Sequence, residues 1–230
     1  MEYDTALEKF GGAYQDRKKE LGLIFSMVDF RNKFVLEVGS GSEDYFIKEL
    51  LKKTDNIMAT DISEKKLLGL KKLNVQTKAC NAEALPFFNR SFDIVFSRWV
   101  LQHVDEKKAV SEMCRVSDKA VVIVFPNEQG DETKLKAIVE KNNPEKRKKR
   151  VGEIKKTMGD NGFFVKEERR ILNFRFSNIK QAMEVLSAVE FNNKVSGSEN
   201  EKIEKFLKER QKGIAIRLTQ GASFISGVRK

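Results

Sequence analysis

The chain has 230 residues, of which 40% are hydrophobic and 34% charged, and its formal net charge is +10 at pH 7. This length accommodates one sizeable α/β core with appendages and is short for two full domains. No apolar run reaches the roughly 18 residues of a membrane span, and the first residues lack a basic-then-apolar secretory pattern, so we expect a cytoplasmic protein.

Two further features of the composition bear on the kind of site. Cys80 and Cys114 are the only cysteines, and without CxxC spacing we expect two reduced thiols and no structural metal. The positive charge attracts any polyanion, RNA included, although lysine-rich surfaces are also common in proteins from warm environments. Charge alone therefore does not identify a partner.

From residue 34 onward, short β-branched or aromatic runs alternate with amphipathic segments. This is the pattern of βα units that build a parallel sheet. The strands read as apolar on both faces, as expected when helices cover both sides of the sheet. The predicted strands are 34–39, 56–61, 75–80, 92–97 and 120–126.

The segments between these strands carry helix signals. DYFIKELLKK places Phe46 and Leu50 at helical spacing, and Ser63 and Asp105 precede two further amphipathic segments as N-cap candidates. We therefore predict a helix after each of the first, second and fourth strands.

The C-terminal third predicts two long strands separated by a helical insertion. The turn MGDNG ends a basic helix, and a strand follows over about 163–176. The last strand lies in 214–230, where Gly221 and Gly227 predict bulges or an edge. Residues 177–212 are too many for a hairpin loop and have apolar positions at helical spacing, so we predict a helical insertion there.

The first strand ends in the turn VLEVGSGSED. Gly39 and Gly41 leave backbone N–H groups open at the start of a helix, a geometry that binds nucleotide-like ligands. The carboxylates Glu37, Glu43 and Asp44 surround the turn, and a pyrophosphate there would meet like charges at about 1–4 kcal/mol each. A cationic ligand avoids this cost, and S-adenosylmethionine carries a sulfonium and an ammonium group without phosphate.

Several ordered stretches resemble the class I S-adenosylmethionine-dependent methyltransferases, in the type 11 branch that includes ubiquinone and menaquinone biosynthesis enzymes. VLEVGSGSE resembles the first motif, and MATDIS places Asp61 where the family's acidic residue accepts the ribose hydroxyls. CNAEALPFFNRSFDIVFS resembles the Asp-Ala-x-x-Leu-Pro-Phe segment and the fourth strand. Glu43 replaces the family's third glycine, and Asn81 replaces its aspartate, so we expect a weaker adenine contact. The resemblance covers residues 34–127 well and the remainder in outline.

The resemblance implies a Rossmann-like α/β fold. Its sheet would have seven strands, mostly parallel, with an antiparallel last strand, helices on both faces and the helical insertion between the last two strands. A single domain would cover 1–230, with an N-terminal helical cap at 1–30 and a cofactor-binding core at 34–126. The insertion at 177–212 would serve as a substrate lid.

The implied activity is methyl transfer from S-adenosylmethionine to a small-molecule acceptor, leaving S-adenosylhomocysteine, with no metal. His103, the sole histidine, is the candidate general base, required only for an acceptor that arrives protonated; its alternative role is a helix-start residue bonded to backbone. Trp99 either stacks on adenine or fills the core. The implied cofactor-binding residues are Glu37, Gly39, Ser40, Gly41, Asp61, Ile62, Asn81, Ala82, Glu83, Ser97, Arg98, Trp99 and, by analogy with a tyrosine in relatives, Tyr14.

Three other interpretations stay open. The basic segment 141–156 suits an RNA-modifying methyltransferase, although a solvated helix face also explains it and the Asn-Pro-Pro-aromatic signature for base amino groups is absent. A nicotinamide oxidoreductase would use Gly39, Gly41 and Asp61 but must tolerate the acidic turn. A non-catalytic cofactor-binding module would account for the two departures from the family pattern. The sequence specifies neither the acceptor nor whether the protein is a monomer or a homodimer.

Overall fold

The computed structural model describes residues 6, 9–10, 12–42, 44–139, 144–191 and 195–230. Glu43, one of the three carboxylates assigned to the glycine turn, lies outside the described residues. The first three residues of the basic segment 141–156 do so as well.

One sheet contains eight strands in the described part of the chain. The order across the sheet is β3-β2-β1-β4-β5-β8-β6, and β7 pairs with β8. The pairs among β3, β2, β1, β4 and β5 are parallel. The strands are β1 (Val35–Val38), β2 (Ile57–Asp61), β3 (Gln76–Ala79), β4 (Phe92–Arg98), β5 (Ser117–Gly130), β6 (Phe163–Phe176), β7 (Gln211–Lys212) and β8 (Ala215–Arg229).

Helices follow β1, β2 and β4 as predicted, whereas the helix at Asp131–Val139 is not predicted by the sequence pattern. The helices are α1 (Arg17–Met27), α2 (Tyr45–Leu51), α3 (Glu64–Lys71), α4 (Glu106–Val116), α5 (Asp131–Val139), α6 (Pro144–Asp160), α7 (Ile179–Phe191) and α8 (Gly197–Lys208), with a 3-10 turn at Leu101–His103. Asp105 caps α4, because its side chain accepts a hydrogen bond from the Lys108 backbone N–H. Ser63 holds the N-cap position of α3 but makes no side-chain cap bond. The predicted helical insertion is confirmed as α7 and α8.

Helices cover both faces of the sheet around β4. Val95 belongs to a buried cluster with Val110 and Met113 of α4. The next residue of the strand points to the other face, where the Phe96 ring stacks on Phe46 of α2 with centroids 4.3 Å apart. The prediction of helices on both faces is therefore confirmed. Among β1 to β5, β3 is the exception, because at the sheet edge its residues are mostly exposed.

β8 runs antiparallel to the strands on either side. The Lys230 backbone N–H donates to the Gly162 carbonyl at 3.0 Å, just before β6 begins. The Arg229 Nη2 donates to the Ser117 carbonyl at 2.7 Å, where β5 begins. The end of β8 thus meets the start of both neighbours, and the predicted antiparallel last strand is confirmed. The two-residue β7 is an addition that the sequence pattern does not predict.

The glycines of β8 have a packing role. A Cβ on Gly221 would lie 2.0 Å from Asn127 Oδ1, and a Cβ on Gly227 would lie 2.6 Å from Met158 Cε. Because β8 lies inside the sheet, the prediction that these glycines mark an edge is wrong, and the alternative that they mark bulges stays a prediction. They are needed because neighbouring side chains approach the strand too closely for any other residue.

The described contacts divide the chain into two compact units. Unit 1 comprises Met1–Lys19, Asn127–Lys148 and Arg169–Ala222, and unit 2 comprises Glu20–Pro126, Lys149–Glu168 and Ser223–Lys230. The assignment of 1–230 to a single methyltransferase domain stays a prediction. Among the described residues, no helix combines the length and hydropathy needed to cross a bilayer.

Unit 1 contains a buried cluster of charged side chains. Arg147 donates from Nη2 to Glu132 Oε1 at 2.7 Å and also binds the other carboxylate oxygen through Nη1. Lys136 Nζ lies 3.2 Å from Glu132 Oε1 and 2.9 Å from Glu190 Oε2. Burial raises the pKa of Glu132, but Arg147 and Lys136 outweigh that effect and leave it below the ordinary value. The cluster therefore holds Glu132 ionised.

Candidate cofactor site

Three neighbouring strands of unit 2 end side by side. Parallel pairing aligns Val38 at the end of β1 with Thr60 of β2 and with Ser97 of β4. Open parallel sheets bind their ligands at this carboxyl edge, next to the point where the strand order reverses. Here the order reverses at β1, which lies between β2 and β4.

The glycine turn after β1 needs both glycines, for different reasons. Gly39 and Gly41 have φ angles of 75° and 63°, which lie in the left-handed region. A Cβ on Gly39 would lie 2.3 Å from Val100 Cγ2, whereas a Cβ on Gly41 would meet nothing within 4 Å. Gly39 is thus fixed by protein packing. Gly41 borders open space in which a ligand can approach the backbone.

Asp61, at the end of β2, is bonded to the glycine turn. Its Oδ2 accepts from the Gly41 backbone N–H at 3.0 Å, and its Oδ1 accepts from the Ser63 backbone N–H at 2.9 Å. Each carboxylate oxygen keeps a second acceptor position. Asp61 can therefore position the turn and still accept two hydroxyl groups from a ligand.

Ser40 contributes a buried polar atom to the same turn. Its backbone N–H donates to the Thr60 carbonyl at 2.8 Å, and among the described residues its Oγ has no hydrogen-bond partner. A buried hydroxyl left in this state costs about 1–3 kcal/mol. A polar ligand beside Gly41 would satisfy it, which fits a cofactor carrying charged amino-acid groups.

Glu37 and Asp61 are carboxylates at the turn. Glu37 is buried at 3% exposure, and Asp61 lies beside Gly41. Asp44 pairs with Lys48 at 2.6 Å, and both side chains are about half exposed. The electrostatic preference for a cationic ligand therefore rests on Glu37 and Asp61 among the described residues.

The end of β4 adopts an unusual backbone conformation. The Ser97 hydroxyl donates to the Val38 carbonyl at 3.0 Å and joins β4 to β1. Two residues later Trp99 has a φ of 58°, a conformation that is rare and costly for a bulky residue. Its backbone N–H donates to the Val124 carbonyl at 3.1 Å. Strain of this kind is concentrated at functional sites.

Glu20 of α1 binds Arg98, the last residue of β4, and Trp99, which follows it. Its side chain is fully buried, with Oε1 3.0 Å from Trp99 Nε1 and Oε2 3.4 Å from Arg98 Nη1. The sequence analysis missed Glu20. The available signal was its position beside Leu21 and Ile24 on the buried stripe of α1, where a carboxylate needs a partner.

The loop after β3 is held mainly by protein contacts. Asn81 Oδ1 accepts from the Glu83 backbone N–H at 2.9 Å, and Glu83 Oε1 accepts from the Asp105 backbone N–H at 2.9 Å. Ala82 packs against the core of unit 2. Because the Asn81 oxygen already accepts one bond, the weaker adenine contact expected from the amide stays a prediction. Ile62, 78% exposed after β2, offers an uncovered apolar surface for a ring.

The 3-10 turn after β4 carries the candidate base and a second buried acceptor. His103 is exposed, and its backbone N–H donates to the Val100 carbonyl. Gln102 Nε2 donates to the Trp99 carbonyl at 2.7 Å, while its Oε1 is buried without a partner among the described residues. The sequence analysis missed Gln102. The catalytic role of His103 stays a prediction.

Tyr14 lies in unit 1, whereas the other residues assigned to the cofactor lie in unit 2. It forms an antiparallel bridge with Phe174, and the two rings stack with centroids 5.0 Å apart. Its role toward the cofactor stays a prediction, as does the lid role of 177–212.

The basic helix α6 uses most of its described cations in ion pairs. Arg147 is bound to Glu132, and Arg150 is bound to Glu106 through its Nε. The lysines also have acidic neighbours within 4 Å: Lys148 with Glu145, Lys149 with Glu153, Lys155 with Glu167 and Lys156 with Asp160. Whether this helix binds RNA or only presents a solvated face stays a prediction. Across the described chain, no group of three His, Cys, Asp or Glu side chains could hold a metal ion.

Comparison with known proteins agrees with this geometry. Residues 36–125 match the methyltransferase domain family. Over 97 residues the chain is 35% identical to the ubiquinone/menaquinone biosynthesis C-methyltransferase UbiE of Klebsiella pneumoniae, covering 37% of this chain and 39% of that protein. Over 106 residues it is 31% identical to the malonyl-[acyl-carrier protein] O-methyltransferase of Buchnera aphidicola, covering 45% and 42%. The chain thus spans about two fifths of the length of these relatives.

The fold extends beyond the matched segment. The crystal structure of the YcgJ protein of Bacillus subtilis superposes with a TM-score of 0.65 at 16% identity, covering 93% of this chain and 99% of that one. Over residues 36–125 the chain is therefore similar to the methyltransferase domain family, and its fold is shared with the YcgJ structure.

Proposed function

We propose that the protein is an S-adenosylmethionine-dependent methyltransferase acting on a small-molecule acceptor and releasing S-adenosylhomocysteine. One observation carries the proposal. The ends of β1, β2 and β4 bring the glycine turn, Asp61 and Ser97 to one edge of the sheet, in agreement with the family pattern. These residues come from separate stretches of sequence, so their convergence is independent support for the motif assignment.

The residues suit the parts of the cofactor. Asp61 would accept the ribose hydroxyls with its remaining acceptor positions, and Ile62 would pack on the adenine ring. Ser40 and the open side of Gly41 would receive the amino-acid end, where the Glu37 carboxylate favours the ammonium group. Glu37 and Asp61 disfavour a pyrophosphate at the same place.

When bound, S-adenosylmethionine would supply an electrophilic methyl group, which the acceptor atom would attack in line as S-adenosylhomocysteine leaves as a neutral thioether. The protein's own contribution is to hold donor and acceptor in contact and to exclude water. An acceptor hydroxyl, thiol or enol must also lose a proton. His103, on the exposed 3-10 turn, is the candidate to take it.

A small-molecule acceptor fits the described surface better than RNA does, because the cations of α6 are largely paired with carboxylates. The names of the two relatives specify a carbon and an oxygen acceptor. We therefore propose a screen that covers both kinds of centre, together with thiols and amines.

Calorimetry with S-adenosylhomocysteine and with NAD tests the cofactor assignment. We expect binding of S-adenosylhomocysteine and none of NAD. Asp61→Asn should weaken this binding about 10-fold, because the amide accepts without charge assistance. The matched control Asp44→Asn, on a carboxylate already paired with Lys48, should leave the affinity within about 2-fold.

The opposite binding pattern, tight NAD uptake without affinity for S-adenosylhomocysteine, would overturn the proposal. Turnover is then measured with methyl-labelled S-adenosylmethionine and the acceptor panel. Binding without transfer to any acceptor would favour a non-catalytic cofactor-binding module instead.

A further inference from the structure

We propose that Glu20 is a positioning residue for the cofactor site and makes α1 part of that site. The inference rests on the proposed function. Nothing in the family pattern used above assigns a role to Glu20; the assignment comes from its contacts with the end of β4.

The Glu20 carboxylate is bound at both oxygens by consecutive residues. Trp99 Nε1 lies 3.0 Å from Oε1, and Arg98 Nη1 lies 3.4 Å from Oε2. The Glu20 side chain has no exposed surface, and Arg98 retains 10%. A buried carboxylate is tolerated only with such partners, so α1 and the end of β4 are fixed to each other.

Trp99 is held at two further points along its backbone and is in a costly conformation. With φ at 58°, its N–H donates to the Val124 carbonyl and its carbonyl accepts from Gln102 Nε2. A strained residue keeps its conformation only when its surroundings over-determine it. The bond from its indole to Glu20 is the contribution that comes from α1.

The conformation of Trp99 sets the position of the next residue, Val100, over the glycine turn. The Val100 side chain occupies the space beside Gly39, since a Cβ there would lie 2.3 Å from Val100 Cγ2. Glu20 therefore acts on the turn through Trp99 and Val100. Without the hydrogen bond to Glu20, the indole of Trp99 and therefore Val100 would be held less firmly. The backbone of Gly39, which packs against Val100, would then become more mobile, and so would that of Ser40 and Gly41.

The protein contains a built-in reporter, because Trp99 is its sole tryptophan. The test compares Glu20→Gln and Glu20→Leu with Leu21→Ala, a matched control that removes buried packing from the same helix without touching these hydrogen bonds. Acrylamide quenching of Trp99 fluorescence is measured without ligand. The Kd for S-adenosylhomocysteine is measured by calorimetry, and the unfolding midpoint of each variant is measured in urea.

We expect Glu20→Leu to weaken S-adenosylhomocysteine binding about 10-fold or more and to increase quenching of Trp99. Glu20→Gln keeps an acceptor for the indole but places an amide against Arg98, and should weaken binding about 3-fold. Leu21→Ala should lower the unfolding midpoint while leaving the Kd within about 2-fold. If Glu20→Leu does not fold, the comparison of Glu20→Gln with Leu21→Ala decides.

A second experiment alters Trp99, the hydrogen-bond partner of Glu20. Trp99→Phe keeps an aromatic ring and removes the indole N–H. Because Trp99→Phe and Glu20→Leu both break the bond between the indole and the carboxylate, the double variant of these two should bind about as weakly as the weaker-binding single variant, and the effects should not multiply. Purely multiplicative effects would show that Glu20 does not act through Trp99.

The outcomes separate the two proposals. If the unaltered protein binds S-adenosylhomocysteine but the Glu20 variants bind it equally well, or no worse than Leu21→Ala does, the positioning role is overturned alone. If the unaltered protein does not bind it, the proposed function fails and this inference fails with it.

Discussion

Gly39 and Gly41 share a left-handed backbone but differ in their surroundings, which predicts different effects of the same substitution. Gly39→Ala adds a methyl against Val100 and should lower the free energy of unfolding by about 2–5 kcal/mol. Gly41→Ala meets no neighbour and should cost about 1–2 kcal/mol, from the backbone conformation alone. Urea unfolding measures both.

The ligand affinities of these two variants complete the comparison. The Gly41 methyl projects into the space assigned to the cofactor, so Gly41→Ala should weaken S-adenosylhomocysteine binding more than its small stability cost suggests. Unchanged affinity in Gly41→Ala would contradict the placement of the ligand beside this residue.

The two cysteines should differ in reactivity. Burial raises the pKa of the Cys114 thiol to about 12, and burial also raises the pKa of the half-buried Cys80. Because the thiolate is the reactive form, iodoacetamide at pH 8 should modify Cys80 slowly in the folded protein and Cys114 more slowly still. Peptide mapping by mass spectrometry measures both rates. Equal labelling of the two in the folded state would be inconsistent with the burial of Cys114.

At this scale the sequence predicts residues that belong to a linear motif and misses those that act through packing. Asp61 is identified because it ends a strand at a fixed distance from a glycine turn, and its position beside that turn agrees with the prediction. Glu20 escapes detection because its partner Trp99 is about 80 residues away in the sequence. Gln102 escapes detection because its partner is a backbone carbonyl, which any residue offers. Neither relation leaves a local pattern.

At the scale of elements, α4 anchors the loop that follows β3. Glu112 Oε2 accepts from the Leu85 backbone N–H at 2.7 Å, and Arg115 Nη2 donates to the Leu85 carbonyl at 2.9 Å. Glu112 and Arg115 also bind each other. The bonds to Arg115 outweigh burial and lower the pKa of Glu112 below its ordinary value of 4.5. This carboxylate therefore links a helix to the loop that contains Asn81.

The lowered pKa of Glu112 predicts a pH-dependent contribution to stability. A carboxyl group with a folded-state pKa below its unfolded value stabilises the protein above the unfolded value, and the effect is lost as the pH falls through the folded value. The free energy of unfolding of the unaltered protein should thus be about 1–2 kcal/mol higher than that of Glu112→Gln at pH 7. The difference should shrink as the pH falls below 4.5.

Urea unfolding of the two proteins at a series of pH values measures this difference. Glu49→Gln is a suitable control, because Glu49 pairs only with the exposed Lys52 among its described contacts. A difference for Glu112→Gln that stays constant or grows toward low pH would contradict the assigned role.

The order and type of the elements follow from the sequence more closely than their exposure does. The alternation of apolar runs and amphipathic segments predicts β1 to β5 within a few residues, because buried strands and amphipathic helices have different periods. The exposed surface of β3 and the short β7 do not follow, since both depend on which strand lies at the edge and which strand is a neighbour. Those are properties of the assembled sheet.

At the scale of the whole molecule, the buried charges of unit 1 test how cooperatively the chain folds. Arg147→Met leaves Glu132 buried without its bidentate partner and should lower the free energy of unfolding by about 3–5 kcal/mol. The adjacent Lys148→Met removes an exposed cation 3.9 Å from Glu145 and should have little effect. The pair of variants separates a buried charge from a surface charge on the same helix.

Two probes follow this unfolding. Circular dichroism reports all helices, and Trp99 fluorescence reports unit 2. Because β5, β6 and β8 each contain residues of both units, we expect Arg147→Met to shift both transitions equally. A shift in circular dichroism without one in fluorescence would show that the units unfold separately.

The fold as a whole is predicted from sequence because the family pattern covers its central strands, and the predicted Rossmann-like α/β architecture is confirmed by the observed strand order. The division into two units is not predicted. It depends on how three long strands share their contacts, and no break in composition marks the points where the chain passes from one unit to the other. The position of Tyr14 in unit 1 is not predicted for the same reason.

The place of β8 has a consequence for biosynthesis. β8 follows every other described strand in the sequence and yet lies between β5 and β6. While the ribosome is still making it, those two strands each present an unpaired edge that can associate with other nascent chains. The sheet is therefore complete only after residue 229 has been synthesised. The protein should be most dependent on chaperones between the synthesis of β6 and that of β8.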